Sequence, residues 1–354
     1  MEHKKRILVA ALDWGLGHAS RCIPIIKELQ SRNCEVFIAS SGRALKLLQK
    51  EFPQLTSFEL EGYDPQYPQG DSMVWKMAFQ LPKFLKVISS EQFQTERIVS
   101  QHKIDAIISD NRYGCFSRRV KSIIITHQLN IQMPKWWKWM QPQVNNYNYK
   151  KLKQFSECWV PSTLDSIIPA LTNSKTDLNV RHIGYVSRFE KKNLEKKYDV
   201  CAICSGPEPQ RSIFEKMLTK ELKKSSLTSI LIRGKTEVMN QYYNKNEKVT
   251  IANYLTANAL NEVIEQSEMV IARSGYSTVM DMAKLNRRAV FVPAPGQTEQ
   301  ELIAEELTEK KIAYSTVQSK FDLEIALEES KKFTGFLNFS FDKSLLTKAI
   351  DSLL

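Results

Sequence analysis

The chain has 354 residues and a formal net charge of +11, with 42% hydrophobic and 25% charged residues. This balance suits a soluble globular protein with room for two domains, each with its own core, and excludes fibrous and disordered classes. The basic excess favours anionic partners, but it is spread along the chain in short runs such as Lys4-Lys5-Arg6 and Lys196-Lys197, which argues against nucleic acid.

The predicted elements alternate. Strand candidates in the first half are Arg6–Leu12, Glu35–Ser40, Ile104–Ser109, Ser122–Thr126 and Glu157–Pro161. In the second half they are Asp199–Cys204, Ser229–Arg233, Met269–Ala272 and Ala289–Val292. These runs are rich in Ile and Val and bounded by turn residues, as in buried parallel strands. Helix candidates lie between them at Ser20–Arg32, Arg43–Glu51, Ala257–Gln266 and Ser277–Leu285, and a terminal one at Leu345–Leu354. Repeated strand–helix–strand order means an α/β, doubly wound architecture. The alternation occurs twice. The expected organisation is an N-terminal Rossmann-like domain over 1–186, a charged linker over 187–198, a second Rossmann-like domain over 199–335, and a helical segment over 336–354.

No window holds the roughly 18 apolar residues of a membrane-spanning helix, and the stretch ILVAAL is too short for a signal peptide before it meets Asp13 and Trp14. Six scattered cysteines do not form a disulfide framework, so a reduced, cytoplasmic setting is expected. Cys201 and Cys204 form a CxxC inside a strand candidate, where positions i and i+3 point to opposite faces and cannot share a metal.

The first strand runs into Asp13-Trp14-Gly15-Leu16-Gly17-His18-Ala19-Ser20-Arg21 and then a helix. Ligands of open α/β sheets bind at the carboxyl ends of the strands. Gly15 and Gly17 let the backbone approach a ligand there, and the helix start favours an anion. A dinucleotide fingerprint does not fit. Its third glycine is replaced by Ser20, and the second strand ends in Ala39-Ser40-Ser41-Gly42 without an acidic ribose ligand. His18 and Asp13 are the general-base candidates of this turn. Asp110-Asn111-Arg112, at another strand end, is an acceptor-side candidate.

The second half opens with the same grammar: a strand, then Ser205-Gly206-Pro207-Glu208-Pro209-Gln210-Arg211. Small residues beside a helix start can hold phosphates, although each proline removes an amide. Arg211 adds a charge-assisted donor. The segment Arg233-Gly234-Lys235-Thr236 resembles the end of a P-loop, but its first glycine is replaced by Ser229 inside the strand, which argues against an ATPase. The most informative stretch is Arg273-Ser274-Gly275-Tyr276-Ser277-Thr278-Val279-Met280-Asp281. A buried strand enters a Ser-Gly turn whose helix-start amides can meet phosphate, and Asp281, one turn further, suits two ribose hydroxyls. The loop Pro293–Gln300 then offers polar groups to sugar hydroxyls.

In this ordered set the sequence resembles the MurG-like glycosyltransferases of family 28, which have the GT-B fold: two Rossmann-like domains facing a cleft. The likeness covers both halves and is most specific over about 250–310. It implies that Asp281 holds the ribose, Gln300 contacts the donor sugar, and Ser274, Gly275, Ser277 and Thr278 lie by the diphosphate with Ser205 and Gly206. It further implies that Tyr254 and Leu255 grip the uracil and that Gly15, Gly17 and His18 form the family's Gly-Gly-His turn. Departures are Asp281 in place of a longer Glu, one Gln with Glu301 beside it in place of a Gln pair, and the prolines after Gly206.

The expected chemistry is inverting and metal-independent. His18 or Asp13 deprotonates an acceptor hydroxyl, which attacks a hexose or N-acetylhexosamine, GlcNAc foremost, carried on UDP. Amides, helix dipoles, Arg211, Arg233 and Arg273 stabilise the leaving diphosphate. No cofactor beyond the UDP-sugar co-substrate is expected, and no DxD pair or metal-spaced cluster is found. The segment Pro134-Lys135-Trp136-Trp137-Lys138-Trp139-Met140 interleaves Trp with Lys, as at a membrane interface, and points to a cell-envelope glycan or lipid-linked acceptor with peripheral contact at the inner membrane face. The alternatives are a UDP-sugar epimerase of the same fold and a non-catalytic sugar-nucleotide-binding protein.

Overall fold

The computed structural model describes residues 4–64, 73–173, 177–235, 242–246, 248–336, 339 and 341–354. The chain forms two units. One holds residues 1–64, 77–186 and 341–354, and the other 65–76 and 187–340.

The first unit is built on seven strands: β1 (Arg6–Ala11), β2 (Glu35–Ser40), β3 (Ser57–Glu59), β4 (Ala106–Asp110), β5 (Lys121–Ile125), β6 (Glu157–Val160) and β7 (Val180–His182). Their order is 3-2-1-4-5-6-7 and every pairing is parallel. Helices α1 (Gly17–Ser31), α2 (Gly42–Glu51), α3 (Met73–His102), α4 (Gln141–Leu152) and the short α5 (Pro169–Thr172) supply the crossovers. Parallel strands are covered on both faces, and β1 is accordingly buried from Ile7 to Ala11 without a polar break. Helix α2 shows the complementary pattern: Ala44, Leu45, Leu47 and Leu48 are buried on one side and charged residues occupy the other.

The second unit has β8 (Tyr198–Ile203), β9 (Ser229–Ile232), β10 (Tyr242–Asn246), β11 (Val249–Ala252), β12 (Ser267–Ala272), β13 (Ala289–Phe291) and β14 (Tyr314–Ser315). Their order is 10-11-9-8-12-13-14, and only the edge pair β10/β11 among these is antiparallel. The helices are α6 (Gln210–Lys224), α7 (Ala257–Glu265), α8 (Tyr276–Lys284), α9 (Thr298–Glu309) and α10 (Leu323–Ser330). The core joins Val200, Ala202 and Cys204 to Phe214, Leu218 and Leu222 of α6 and to Ile271 of β12. Cys201 lies outside that cluster, as the opposite-face reading of the CxxC requires.

All nine strand candidates correspond to strands, within two residues at each end. Residues 187–197 form neither helix nor strand and are fastened to α7: the Glu190 amide donates to Asn261 Oδ1 at 3.2 Å and the Lys192 amide to Glu265 Oε2 at 3.2 Å. The last helix, α11 (Lys343–Leu353), returns to the first unit, where Arg32 donates to Asp351 at 2.7 Å and Thr347 to Glu28 at 3.0 Å.

Candidate active site

In the first unit β1 and β4 are neighbours, so the two loops singled out in the sequence leave the sheet side by side. The Leu12 amide donates to the Asp110 carbonyl at 3.0 Å. The chain then turns sharply, with the Gly15 amide bonded to the Asp13 carbonyl at 2.8 Å and Gly15 at φ 86°, a conformation that favours glycine. Helix α1 begins at Gly17 and brings His18 and Arg21 onto the same face, one turn apart.

These side chains converge on Asp110, which is fully buried. His18 Nδ1 lies 2.7 Å from Asp110 Oδ1, and Arg21 forks onto the same carboxylate with Nε at 2.7 Å from Oδ2 and Nη2 at 2.5 Å from Oδ1. Burial alone would raise the Asp110 pKa, but the Arg21 charge and His18 outweigh it and hold the carboxyl well below its usual range. An ionised carboxylate only accepts, so His18 Nδ1 carries a proton and donates it, which leaves Nε2 as the nitrogen that can act as a base in the neutral ring. The imidazole is 15% exposed.

Asp13 and Arg112 belong to an adjoining buried network. Arg112 is fully buried. It donates to the Ala11 carbonyl at 2.9 Å, to Glu91 Oε1 of α3 at 2.7 Å and to Ser41 Oγ. Tyr63 donates to Glu91 Oε2 at 2.8 Å, and its amide donates to Asp13 Oδ2 at 3.2 Å. Asp13 Oδ1 is buried without a hydrogen bond, 3.7 Å from Arg112, and the Asp13 side chain is 6% exposed. Asp13 thus faces inward and is less exposed than His18. Asn111, at φ 55° and largely buried, makes the bend between Asp110 and Arg112. Burial pushes Glu91 up to about 7 against the lowering effect of Arg112.

In the second unit β8 and β12 are neighbours, which sets the loop after Ile203 beside the loop after Ala272. Ser205 and half-exposed Gly206 follow β8. Gly206 has φ 100° and open space where a side chain would stand. Gly275 precedes α8 and is half-exposed with Ser277 and Thr278, so the first helical turn, whose amides have no intrahelical acceptor, reaches the surface. Asp281 lies beneath it, 7% exposed, with Oδ1 accepting from Ser187 Oγ at 2.6 Å. Burial raises its pKa to about 6, with Arg188 and Ser187 opposing. Ser274 is buried and donates to the Gln300 carbonyl at 2.8 Å. The Gln300 side chain accepts from the Ala294 amide at 2.9 Å and donates to Gln297 at 2.5 Å, so it braces the loop it was expected to serve. Tyr254 and Leu255 follow β11 and are buried.

The three arginines expected to face phosphate have internal duties. Arg211 is 2% exposed and donates to Glu208 and Glu215 at 2.7 Å and to the Arg233 carbonyl at 2.9 Å. Arg233 donates to Glu215 at 2.6 Å and to Asn253 at 2.9 Å. Arg273 is 1% exposed, stacks 4.0 Å from the Phe214 ring and donates to the carbonyls of Val292 and Pro293. Burial lowers its pKa to about 10. Their shared partners explain the placement, because a buried guanidinium needs countercharge or carbonyls. In the same corner the Lys235 amide bonds to the Asn253 carbonyl at 2.8 Å. Thr236, the end of the P-loop-like segment, lies outside the described residues.

Trp136 and Trp139 sit on a short 3-10 helix, Lys135–Met140, and are 91% and 68% exposed. Trp137 is half-buried and its ring centre lies 6.4 Å from that of Trp139. The sequence did not single out Arg21, His127 or Glu91 for a role. No local signal marks them, since each acts on a partner far along the chain.

Residues 206–335 match the glycosyltransferase family 28 C-terminal domain. Two curated relatives, both described as uncharacterized glycosyltransferases, come from Methanosarcina acetivorans and Methanosarcina mazei. Each is 24% identical over 88% of this chain and 86% of its own length. Among solved structures, the kitacinnamycin glycotransferase aligns with a TM-score of 0.66 at 14% identity over 100% of both chains. The glycosyltransferase SnogD of Streptomyces nogalater aligns at 0.61 and 13% identity over 99% of this chain and 94% of its own. MurG of Acinetobacter baumannii aligns at 0.56 and 15% identity over 99% of both. With its two parallel-sheet Rossmann-like units the chain is a glycosyltransferase of GT-B fold whose second unit is similar, over residues 206–335, to the family 28 C-terminal domain.

Proposed function

We propose that this enzyme is an inverting, metal-independent transferase that moves a hexose or N-acetylhexosamine, GlcNAc foremost, from a UDP-sugar to a cell-envelope glycan or lipid-linked acceptor. The observation that carries the reading is the His18–Asp110 pair, 2.7 Å apart at the carboxyl ends of β1 and β4. A neutral imidazole held by an ionised carboxylate is a general base with a fixed tautomer. His18 Nε2 takes the proton of the acceptor hydroxyl while the acceptor oxygen bonds to the anomeric carbon. The bond from that carbon to the β-phosphate oxygen breaks, and UDP leaves from the opposite face, which inverts the centre.

On the donor side, Asp281 accepts the ribose hydroxyls. The first turn of α8 and the loop at Ser205 and Gly206 receive the diphosphate, where helix-start amides and the helix dipole offset the developing charge. Arg211, Arg233 and Arg273 serve this site by stiffening those loops. The lipid-linked acceptor and a peripheral position at the inner membrane face draw support from Trp136 and Trp139, exposed beside Lys138.

The test is calorimetric titration with UDP, UDP-GlcNAc and other nucleotides in EDTA, followed by UDP release on addition of membrane extract. Uridine-selective binding lost in Asp281→Ala, with extract-dependent UDP release in EDTA, is the expected result. Tight binding of a non-uridine nucleotide, or release that needs a divalent ion, overturns the donor or the metal-independent part respectively.

A further inference from the structure

Arg21 is the fifth residue of α1, and its guanidinium is buried where no substrate reaches. Its contacts explain why a full charge is kept there. Nε and Nη2 take the two oxygens of Asp110 as a fork, at 2.7 and 2.5 Å. A fork fixes the plane of a carboxylate as well as its charge. The remaining nitrogen, Nη1, lies 3.1 Å from Nδ1 of His127, which is itself buried after β5. A guanidinium only donates, so His127 Nδ1 accepts, and His127 is neutral with its proton on Nε2. Arg21 Nη2 also lies 3.1 Å from His18 Nδ1, but Nη2 donates to the nearer Asp110 Oδ1 at 2.5 Å, and the same oxygen, 2.7 Å from His18 Nδ1, takes the Nδ1 proton. Two imidazoles are thereby set to opposite tautomers around one cation. His18 carries its proton on Nδ1, pointing at Asp110, and His127 carries its own on Nε2.

We propose that Arg21, with His127 behind it, is the positioning residue of the base: it fixes the plane and ionisation of Asp110 and so holds His18 in the single tautomer that leaves Nε2 open. The proposal rests on His18 being the base. The physical need is plain. A buried aspartate beside histidine alone can take up a proton from solvent and become a donor to Nδ1, or can rotate away, and either change favours the ring tautomer with its proton on Nε2, which blocks the base. The Arg21 fork opposes both, and its neighbour Cys22, with Sγ 3.9 Å from Asp110 Oδ2, closes the remaining side of the carboxylate with a weak donor.

The tautomers are measured directly by two-bond ¹H–¹⁵N correlation spectra of the full chain labelled in its histidine rings, which number five. His18 and His127 are assigned from His18→Gln and His127→Gln. The wild type should show His18 protonated on Nδ1 and His127 on Nε2. Arg21→Met should turn the His18 signals into an average of both tautomers, and Arg21→Lys should restore the wild-type pattern in part. Should Arg21→Met fail to fold with an ionised carboxylate left buried, Arg21→Gln keeps one neutral donor for Asp110 without the fork or the charge and should show the same averaging. A His18 pattern unchanged in the folded variants, or His18 protonated on Nε2 in the wild type, overturns the proposal. Calorimetry with UDP-GlcNAc separates the two readings: the tautomer change with no uridine nucleotide binding would sink the proposed donor and leave Arg21 in place, whereas unchanged tautomers with full donor binding would do the reverse.

Discussion

His18 and Asp110 are 92 residues apart in the chain and 2.7 Å apart in the fold, joined because β1 and β4 are adjacent parallel strands. The carboxylate is ionised and can only accept, so the pair has one arrangement of its shared proton. Replacing Asp110 with Asn offers an amide that can donate and favours the wrong histidine tautomer. We expect Asp110→Asn to lower the transfer rate by about 10²–10⁴-fold. The Michaelis constant for the donor should stay within about twofold, because the donor groups lie in the other unit. His18→Ala should fall in the same range, and the double variant should lose little more than either, as groups that act together do. Initial rates of UDP release with membrane extract give the comparison. Additive losses would show that the two act independently.

The proposed role of Asp281 at the ribose makes donor binding depend on pH. Burial raises its carboxyl to about 6, against the opposing Arg188 charge and Ser187 bond. An ionised carboxylate is the better acceptor for the proposed ribose hydroxyls, so affinity should increase as pH rises through 6. Between pH 5 and pH 7 the ionised fraction changes about tenfold, and the association constant for UDP-GlcNAc should follow. UDP-GlcNAc is the right probe because its phosphate diester does not titrate in this range, whereas the terminal phosphate of UDP does. Asp281→Asn should bind more weakly and without this slope. A wild-type constant that is flat from pH 5 to 7 would exclude Asp281 from the ribose.

The Glu91–Arg112 pair ties helix α3 to the active end of the first sheet. Glu91 is held at about 7 against an ordinary value of 4.5, chiefly by burial. A carboxyl raised in the folded state lends its stability in full below 4.5 and loses it as pH rises through 7. The difference corresponds to about 3 kcal/mol. Chemical denaturation at pH 4.5 and 7.5 should therefore show a fall for the wild type that Glu91→Gln lacks. Gly114 offers a check independent of charge. A Cβ there would stand 2.2 Å from the Ile88 carbonyl of α3. Gly114→Ala should therefore destabilise by about 1–3 kcal/mol through forced separation of helix and loop, read as a lower denaturation midpoint.

The sequence made nine strands legible because buried parallel strands are continuous apolar runs, and β1 is as clear in letters as in space. The short edge strands β3, β7 and β14, of two or three residues, carry too little pattern to stand out, and β10 and β11 were not foreseen either. Helix α3 was not foreseen, although it runs for thirty residues. Phe79 and Phe93 interrupt its polar side, both exposed, and blur the period of 3.6. In the site, Gly15, His18, Gly275 and Asp281 were visible because they lie in the turn after a strand or in the first turns of the helix that follows it. Arg21 was visible only as the end of a motif. Its purpose lies in Asp110 and His127, which the sheet order alone brings to it. The arginines of the second unit show the opposite limit: a charged letter near a phosphate loop does not say which way the side chain turns, and Glu208 and Glu215 decide that.

Trp136 and Trp139 bear on where the acceptor comes from. An exposed indole costs free energy in water that burial of apolar area recovers at about 25 cal/mol per Å². Both residues are largely exposed, on a turn that also carries Lys138, with Lys150 and Lys151 at the end of α4 just after it. Indoles settle at the headgroup level of a bilayer, and lysines meet anionic lipid. Vesicles containing about 30% anionic lipid should therefore sediment the protein, and neutral vesicles should do so weakly. Trp136→Ser/Trp139→Ser should reduce binding to the anionic vesicles several-fold. UDP-GlcNAc affinity should not change, since neither residue touches the donor groups. Salt should weaken what the lysines contribute and leave the indole part, so binding in about 0.5 M salt isolates the tryptophans. Equal sedimentation of wild type and double variant at that salt would show that the turn stays in water and that a lipid acceptor must be met elsewhere.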